Sequence, residues 1–296
     1  MDFDDKIIAN APIFFLKINE ESGAVATDYS GNNKHGTIVG TPQFSQDGIG
    51  FYQDEKTIAF NALGRITLPH EADFNNDGSI TVEAIVKPVA NDLSGAPMIV
   101  CKGVINSSWL LFLQGGLPYF RITASTQIGL GTSLTAGYTY YLAGIDDGSS
   151  IKIYQYNFQT DTWTSNSLNT AVARANDGND IGIGASYGGG NPFRGIVNRV
   201  AFHQQALSET VIFQRSVLET FDLIGTVKDN NNNPLSRRVI AFRRVNDTKI
   251  GTTQSDAGDG SFTIQTNFQE AHYIIALDDD QGTQENAIVF DRVIPI

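Results

Sequence analysis

Apolar and polar residues alternate along much of the chain, which is the period of a β-strand with one buried face. The clearest case is SITVEAIVKP, where Ile80, Val82 and Ala84 occupy alternate positions. SIKIYQY (150–156) and GIVNRVAFH (195–203) show the same alternation. Turn-forming clusters such as NNDGS, DDGSS and SYGGGN separate the apolar runs about every ten residues. This pattern predicts an all-β sandwich or barrel.

One segment predicts a helix instead. ALSETVIFQRSVLE places Ser208 at the N-cap and Glu209 in the first turn. After it the pattern starts afresh, and strands are predicted in DLIGTVK, RRVIAFRR, SFTIQT, HYIIALDDD and the final NAIVFDRVIPI. About 75 residues are enough for a small sandwich. The sequence therefore predicts two domains, residues 1–221 and residues 222–296.

The net charge of −12 limits the class of partner. An acidic chain repels phosphate backbones and anionic lipid, so we expect neither nucleic-acid binding nor membrane insertion. No apolar run approaches the length of a transmembrane helix. The first residues, MDFDDKIIANAPIFF, lack the basic start and long apolar run of a secretory signal, so we expect synthesis in a cytoplasm.

Zinc-binding catalytic motifs are missing from the sequence. The four His are scattered, and neither HExxH nor CxxC occurs. GASYG (184–188) has the letters of GxSxG, but it lies in the Gly-rich stretch GIGASYGGGN, which is predicted to be a rim loop. The single cysteine, Cys101, lies in the apolar run MIVCKG and is predicted to be a core residue. The sequence therefore predicts a protein that is not an enzyme.

Three stretches carry a resemblance to a known family: PIFFLKINEESGAVATDYSGNNKHGTIVG, GSITVEAIVKP and GIVNRVAFHQQALSETVI. In this order they resemble the LamG-like (concanavalin A-like) jelly roll, over residues 1 to about 219. Two departures stand out. Ala84-Ile85 occupies a position where the family often has Trp, and Asn198-Arg199 replaces its usual Asp-Glu. Glycosidases with this fold carry an acidic pair on one strand, whereas TVEAIVK has one carboxylate and NRVAFHQ none.

The resemblance implies two kinds of ligand site. Sugars stack on aromatic rings, and asparagines bind their hydroxyls. The aromatic candidates for this role are Trp109, Tyr119, Tyr141, Tyr154, Trp163 and Tyr187. We predict glycan contacts chiefly from Trp163 and Tyr187, with Trp109 and Asn191 beside them. The alternative is that about half of the aromatic residues pack in the core or on a sheet face.

Jelly rolls of this kind often hold a structural Ca²⁺ at the sheet rim, through carboxylates and carbonyls. By this resemblance the ligands would be Asp28 and Asn32, with Asn198 on the closing strand. The alternative is that Asp28 closes an Asx-turn and Gly31 supplies a positive φ.

The end of the chain carries a second resemblance. GTVKDNNNNPLSRRVIAFRR, SDAGDGSFTI and NAIVFDRVIPI resemble a small Ig-like, carboxypeptidase-regulatory-like sandwich found in bacteriophage tail and virion proteins. This module would serve as a connector. Its basic pairs, Arg237-Arg238 and Arg243-Arg244, would either protect a solvated strand edge or bind an acidic neighbouring subunit.

Together the resemblances imply a non-enzymatic phage virion protein, located in the virion and associated with the tail or a fibre. It would bind a bacterial surface glycan through the jelly roll and contact other virion proteins in a homo-oligomer or lattice. Two alternatives stay open. One is a protein that decorates or cements the capsid or tail without binding glycan, and the other is a carbohydrate-binding adhesin module of a bacterial protein.

Overall fold

Two large antiparallel sheets form the first part of the chain, and two smaller sheets form the last part. The computed structural model describes residues 2–52, 55–75, 78–89, 94–103, 108–174, 177–216, 221–229, 231–244, 247, 249–266, 271–277 and 288–296. The chain divides into two compact units, Met1–Ser216 and Val217–Ile296. The predicted boundary after residue 221 falls inside a strand of the second unit, because Phe221 pairs with Thr266.

The first unit contains two short α-helices, α1 (Phe3–Ile8) and α2 (Glu209–Gln214), and a 3₁₀ helix (Ala72–Asn75) among its described residues. Its strands are β1 (Phe14–Leu16), β2 (Val25–Ala26), β3 (Gly36–Gly40), β4 (Gln43–Asp47), β5 (Lys56–Phe60), β6 (Gly64–Leu68), β7 (Ile80–Pro88), β8 (Met98–Lys102), β9 (Leu110–Gln114), β10 (Leu117–Arg121), β11 (Gln127–Gly129), β12 (Tyr140–Asp146), β13 (Ser150–Asn157), β14 (Thr162–Asn169), β15 (Ile181–Ile183) and β16 (Gly195–His203).

These strands form two sheets. The first sheet has the order β14–β13–β12–β7–β16–β5–β4, and β1 also pairs with β16. The second sheet has the order β11–β10–β9–β8–β15–β6–β3–β2. Neighbours in each sheet are often distant in sequence, as in a jelly roll. The sequence prediction of an all-β sandwich is confirmed.

One hydrophobic core lies between the two sheets. Alternate residues of β7, including Ile80, Val82 and Val86, point into it from the first sheet. Leu111 and Leu113 of β9 point into it from the second sheet. The period-2 pattern of the sequence therefore marks the faces that the two sheets turn toward each other.

The outer face of the central strands of the first sheet is buried as well. The helices α1 and α2 pack on it through Phe3 and Ile212, next to Tyr141 and Ile85 of the sheet. Thus β7 is buried along nearly its whole length, on both faces. This second apolar layer explains why Ile85 is apolar, although it lies on the same face of β7 as Thr81 and Glu83.

A buried carboxylate lies beneath α2 on this outer face. Both oxygens of Glu83, on β7, accept hydrogen bonds from the Arg215 guanidinium at 3.0 Å each. Glu83 is also bonded to His203 Nε2 at 2.7 Å and to the Tyr141 hydroxyl at 2.6 Å. Burial raises the pKa of Glu83, but the charge of Arg215 and the bonds to His203 outweigh burial and hold this pKa below its usual value. The cluster ties the C-terminal end of α2 to the centre of the sheet.

A second ion cluster holds α1. β16 contains a β-bulge between Asn198 and Ala201, and Arg199 within it has φ +47°. The bulge directs the fully buried Arg199 side chain to Asp4 of α1, at 3.1 Å, and to Glu55, at 2.7 Å. The guanidinium also lies 3.4 Å from the centre of the Tyr52 ring. Arg199 stands where the family pattern usually has an acidic residue. Its charge is balanced by Asp4 on α1.

The second unit has two sheets around its own core. Its strands are β17 (Phe221–Thr226), β18 (Arg238–Arg243), β19 (Lys249–Gln254), β20 (Ser261–Thr266), β21 (His272–Ala276) and β22 (Ile288–Val293). β17 pairs with β20, and the other four have the order β19–β18–β21–β22. Leu223 and Ile264 of the smaller sheet pack with Val239 and Ile274 of the larger one. In the NAIVFDRVIPI ending, residues 286 and 287 lie outside the described residues.

The predicted helix is confirmed in its first two turns. Ser208 Oγ accepts a hydrogen bond from Val211 N, as an N-cap does, and the helix ends before Arg215. Residues 217–219 of the prediction lie outside the described residues. Neither α1 (FDDKII) nor β19 (KIGTTQ) was predicted from the sequence. β19 has Ile250 as its one apolar residue, so it shows no alternation. In the described residues, no helix combines the length and apolarity needed to cross a membrane.

Replacing Arg215 by Ala should strongly destabilise the first unit. The change leaves Glu83 buried without its cation, which costs about 3–5 kcal/mol. Because the pKa of Glu83 is lower in the folded chain than its unfolded value of about 4.3, the ion pair stabilises the fold above that pH. This stabilisation is lost as the pH falls toward the folded-state pKa. Urea unfolding of the wild type and Arg215→Ala at pH 7 and pH 3.5 measures both effects.

The exposed ion pair of Lys56 with Asp47, at 3.1 Å, provides the control. Lys56→Ala should change the free energy of unfolding by no more than about 1 kcal/mol. If the Arg215 variant were as stable as this control at pH 7, the cluster would not hold α2 in place.

Candidate functional site

The carboxylate that the sequence offers for catalysis is not accessible. Glu83 has no exposed surface, and Arg215, His203 and Tyr141 occupy its oxygens. A general acid or nucleophile must reach a substrate, and Glu83 lies beneath α2 instead. Its role in this structure is to hold the fold.

Trp109 is a core residue, so its predicted role in glycan binding is wrong. Its side chain is 1% exposed and stacks on Phe202 of β16, with the ring centres 5.0 Å apart. Its indole N–H points to the Phe74 carbonyl at 3.4 Å. A sugar has no access to either face of this ring.

Trp163, which was predicted to contact glycan, packs against Phe213 of α2. It lies on β14, opposite Tyr156, and its ring is 4.7 Å from that of Phe213 in α2. Its Nε1 donates to Ser216 Oγ at 3.0 Å. Trp163 therefore contributes to the aromatic layer that fixes α2 on the first sheet, and only part of the ring is exposed.

Tyr187 and Asn191 lie together on one ordered loop, which we call the rim loop (Ser186–Asn191). Ser186 closes the loop, because its backbone N donates to the Gly190 carbonyl at 2.9 Å and its Oγ accepts from Gly190 N at 2.8 Å. Arg65 on β6 anchors the loop through Nε to the Tyr187 carbonyl, at 2.9 Å. The Tyr187 side chain is half-buried, and Asn191 is exposed.

The rim loop folds back over the outer face of the second sheet. A Cβ on Gly182 of β15 would lie 2.3 Å from the Ala185 carbonyl oxygen and 2.6 Å from Tyr187 N. Only glycine permits so close an approach. Asn191 has φ +49°, and its carbonyl accepts from Met98 N of β8 at 2.9 Å. The loop thus holds its two side chains at the surface on a backbone fixed to three strands.

Sequence reasoning did not identify Arg65, although this residue positions the loop. A lone arginine on the solvent side of the strand GRITL has no pattern that distinguishes it from a solubilising charge. Its function depends on a contact with a residue 122 positions away. Only the fold reveals such a contact.

The predicted calcium ligand Asp28 is fully engaged by the protein. Its Oδ1 accepts from Phe15 N and Ser30 N at 2.9 Å each, and its Oδ2 accepts from Ser30 Oγ and Lys34 N at 2.8 Å each. A carboxylate has about four lone-pair sites, and these four donors fill them. Asp28 therefore forms the Asx-turn that was the alternative prediction, with Gly31 at φ +90°.

The other two predicted ligands also have partners within the chain. Asn32 Nδ2 donates to the carbonyls of Pro12 and Ile13, at 3.0 and 3.1 Å. Asn198 is buried, and its Oδ1 accepts from the Arg199 guanidinium at 2.9 Å. A cation beside that guanidinium would be repelled. The described residues contain no group of three or more His, Cys, Asp or Glu that could hold a metal ion. The donor set does not fit Ca²⁺.

The arginine pairs of the second unit differ in their surroundings. β18 lies between β19 and β21, so the prediction of a protected strand edge is wrong. Arg244 forms an exposed ion pair with Asp291 of β22, at 2.7 Å, and Arg238 is exposed. Arg237 and Arg243 are half-buried. Docking of an acidic subunit at these residues stays a prediction.

The comparisons with known proteins agree with this architecture. The family model described as the concanavalin A-like lectin/glucanases superfamily matches residues 61–213. That segment is slightly more than half of the 296 residues. No curated protein matches the chain.

Several solved structures have a similar fold. Domain 4 of AbnA, a GH43 extracellular arabinanase from Geobacillus stearothermophilus, in complex with arabinotriose, has a TM-score of 0.51 and 16% identity, covering 70% of this chain and 98% of its own. The binding domain of botulinum neurotoxin DC in complex with SialylT has a TM-score of 0.50 and 12% identity. The match covers 93% of this chain and 73% of the botulinum chain. The binding domain of Paraclostridial Mosquitocidal Protein 1 has a TM-score of 0.52 and 14% identity. The match covers 96% of this chain and 76% of the mosquitocidal protein chain. At these identities the similarity shows the fold alone.

Asp28→Ala should lower the melting temperature, whereas a chelator should not. The substitution leaves the buried Phe15 N–H of β1 without an acceptor, at a cost of about 1–3 kcal/mol. Thermal unfolding with and without EDTA measures both effects. Asp47→Ala is the control, because the Asp47 side chain is 92% exposed. A fall in the wild-type melting temperature with EDTA, reversed by added Ca²⁺, would instead support the calcium site.

Proposed function

Because the chain belongs to the concanavalin A-like lectin/glucanases superfamily, we propose that it is a non-catalytic carbohydrate-binding protein whose rim loop contacts the sugar. The observation that carries this proposal is the rim loop itself. It places the phenol ring of Tyr187 and the amide of Asn191 at the surface on one hydrogen-bonded backbone. An aromatic face and a nearby amide are the groups that bind a sugar ring and its hydroxyls.

Two further observations support binding without catalysis. Glu83, the carboxylate on the central strand of the first sheet, is buried in an ion pair. The helices α1 and α2 cover the outer face of the central strands of that sheet, so a cleft cannot open above Glu83 without displacing them. The AbnA domain is described in complex with arabinotriose, which makes an oligosaccharide a reasonable class of ligand to test.

We further propose that the chain acts in a bacteriophage virion, associated with the tail or a fibre, and that it binds a host-surface glycan. The support is the resemblance of the C-terminal unit, in particular its ending NAIVFDRVIPI, to modules of phage structural proteins. The first unit would bind the glycan, and the second unit would join other virion proteins. A decoration protein and a bacterial adhesin module remain the alternatives.

Substituting the rim loop should weaken glycan binding. An array of bacterial surface glycans identifies a ligand for the wild type, and titration calorimetry then compares variants. Tyr187→Ala removes the stacking surface, and we expect a loss of about tenfold in affinity. Asn191→Ala removes the amide, and we expect a loss of several-fold.

Tyr138→Ala is the matched control, because Tyr138 is also a surface tyrosine, 38% exposed. Its affinity should equal that of the wild type. If no glycan on the array bound the wild-type protein, the carbohydrate proposal would be wrong.

The virion proposal has its own test. Purified protein should bind host cells and reduce phage adsorption if it recognises the host. If it instead rebinds stripped particles and raises their thermal stability without binding cells, the decoration alternative is correct.

A further inference from the structure

The outer face of the second sheet carries a row of residues that crosses four strands and ends at the rim loop. Met98 on β8 lies opposite Phe112 on β9, and Phe112 lies opposite Tyr119 on β10. Tyr119 in turn lies opposite Gly129 on β11. Met98 and Phe112 belong to a buried apolar cluster on this face, separate from the core between the sheets. The half-buried Tyr119 packs at the margin of the cluster.

Tyr119 lies across the neighbouring strand. A Cβ on Gly129 would be 2.5 Å from Cε1 and Cζ of the Tyr119 ring and 2.8 Å from Cδ1, so the glycine makes room for the ring. On its other side the ring contacts Phe112, with centres 5.7 Å apart. The ring is thus held in one orientation by a strand on either side, and part of it faces solvent.

A chain of polar groups borders the same row. Arg121 lies with its Cζ 4.9 Å from the centre of the Phe112 ring, and its Nε donates to Gln127 Oε1 at 2.8 Å. Gln127 Nε2 donates in turn to Oε1 of the exposed Gln114, at 3.3 Å. Because Oε1 of each amide is engaged, the NH₂ group of Gln114 is oriented by its neighbours. The guanidinium fixes this amide pair in place.

The row continues into the rim loop. Met98 forms a bridge with Pro192, and Met98 N donates to the Asn191 carbonyl. Strands in a sheet are about 4.8 Å apart, so three steps separate Tyr119 from Asn191 by about 15 Å. This distance suits an oligosaccharide rather than a single sugar.

We propose that Tyr119, Gln114 and Gln127 form a second subsite, and that with the rim loop they bind a neutral oligosaccharide across the outer face of the second sheet. The inference rests on the proposed function and names its ligand class. The exposed groups of the row are a phenol and amides. The Arg121 guanidinium is nearly buried, lies over the Phe112 ring and donates to Gln127. The net charge of −12 repels anionic glycans at long range, whereas amide donors bind neutral hydroxyls.

The test uses the full chain and neutral oligosaccharides of one to six residues, with uronate and sialylated oligosaccharides for comparison. Affinity for the neutral series should rise over the first three or so sugars and then level off. Tyr119→Ala should reduce affinity for the longer oligosaccharides about tenfold and remove most of the length dependence. Tyr119→Phe, which keeps the ring, should retain the affinity within about threefold.

Two further variants separate binding from folding. Gly129→Ala keeps Tyr119 but displaces its ring, so it should weaken binding to a similar degree. Gln114→Ala changes an exposed side chain and should cost several-fold in affinity without altering the melting temperature. Tyr138→Ala is again the control.

The outcomes distinguish the two proposals. If the wild type binds a neutral oligosaccharide and the Tyr119, Gly129 and Gln114 variants bind it equally well, the second subsite is wrong and the rim-loop proposal stands. If only uronate or sialylated ligands bind, the neutral class is wrong. If no oligosaccharide binds at all, the carbohydrate function fails, and the subsite fails with it.

Discussion

The central strands of the first sheet, among them β7 and β12, are buried on both faces, and the rest of the first unit depends on how this burial is achieved. One face packs against the second sheet, and the other is closed by two helices of only six residues each. Helices this short have little stability of their own. The ion clusters around Glu83 and Arg199 hold them, each with a buried charge that would be costly without its partner. Buried ion pairs therefore add to the apolar contacts that hold α1 and α2 on the first sheet.

This closure also determines which surfaces are left for function. The aromatic residues beneath α2, among them Trp163 and Tyr141, are committed to packing. The outer face of the second sheet has a different cover, made from the rim loop and a few side chains of the sheet itself. An aromatic ring and amides remain there at the surface. The two sheets thus differ in which side chains stay exposed, because both helices pack on the first sheet.

The sequence predicted the sandwich well, because alternation along β7 and β16 and the order of the family motifs are local signals. It predicted the site less well. Tyr187 and Asn191 share a loop in the sequence, so their proximity was accessible to sequence reasoning. The burial of individual aromatic residues could not be predicted in this way. Trp109 lies in the core between the sheets, whereas Trp163 packs in the outer layer beside α2, and their sequence surroundings do not distinguish them. The engagement of Asp28 could not be predicted from the sequence either, because one of its hydrogen-bond donors, Phe15 N, lies 13 positions away.

The bulge at Arg199 has a consequence for dissecting the molecule. The family model begins at residue 61, but the counter-charge of Arg199 lies at Asp4 and Glu55. A fragment cut at the limits of the family match would keep the guanidinium and discard both carboxylates, together with β1 to β5. The segment that defines membership of the superfamily is therefore smaller than the segment that folds. Swapping such a segment between relatives would require exchanging residues 4 and 55 along with residue 199.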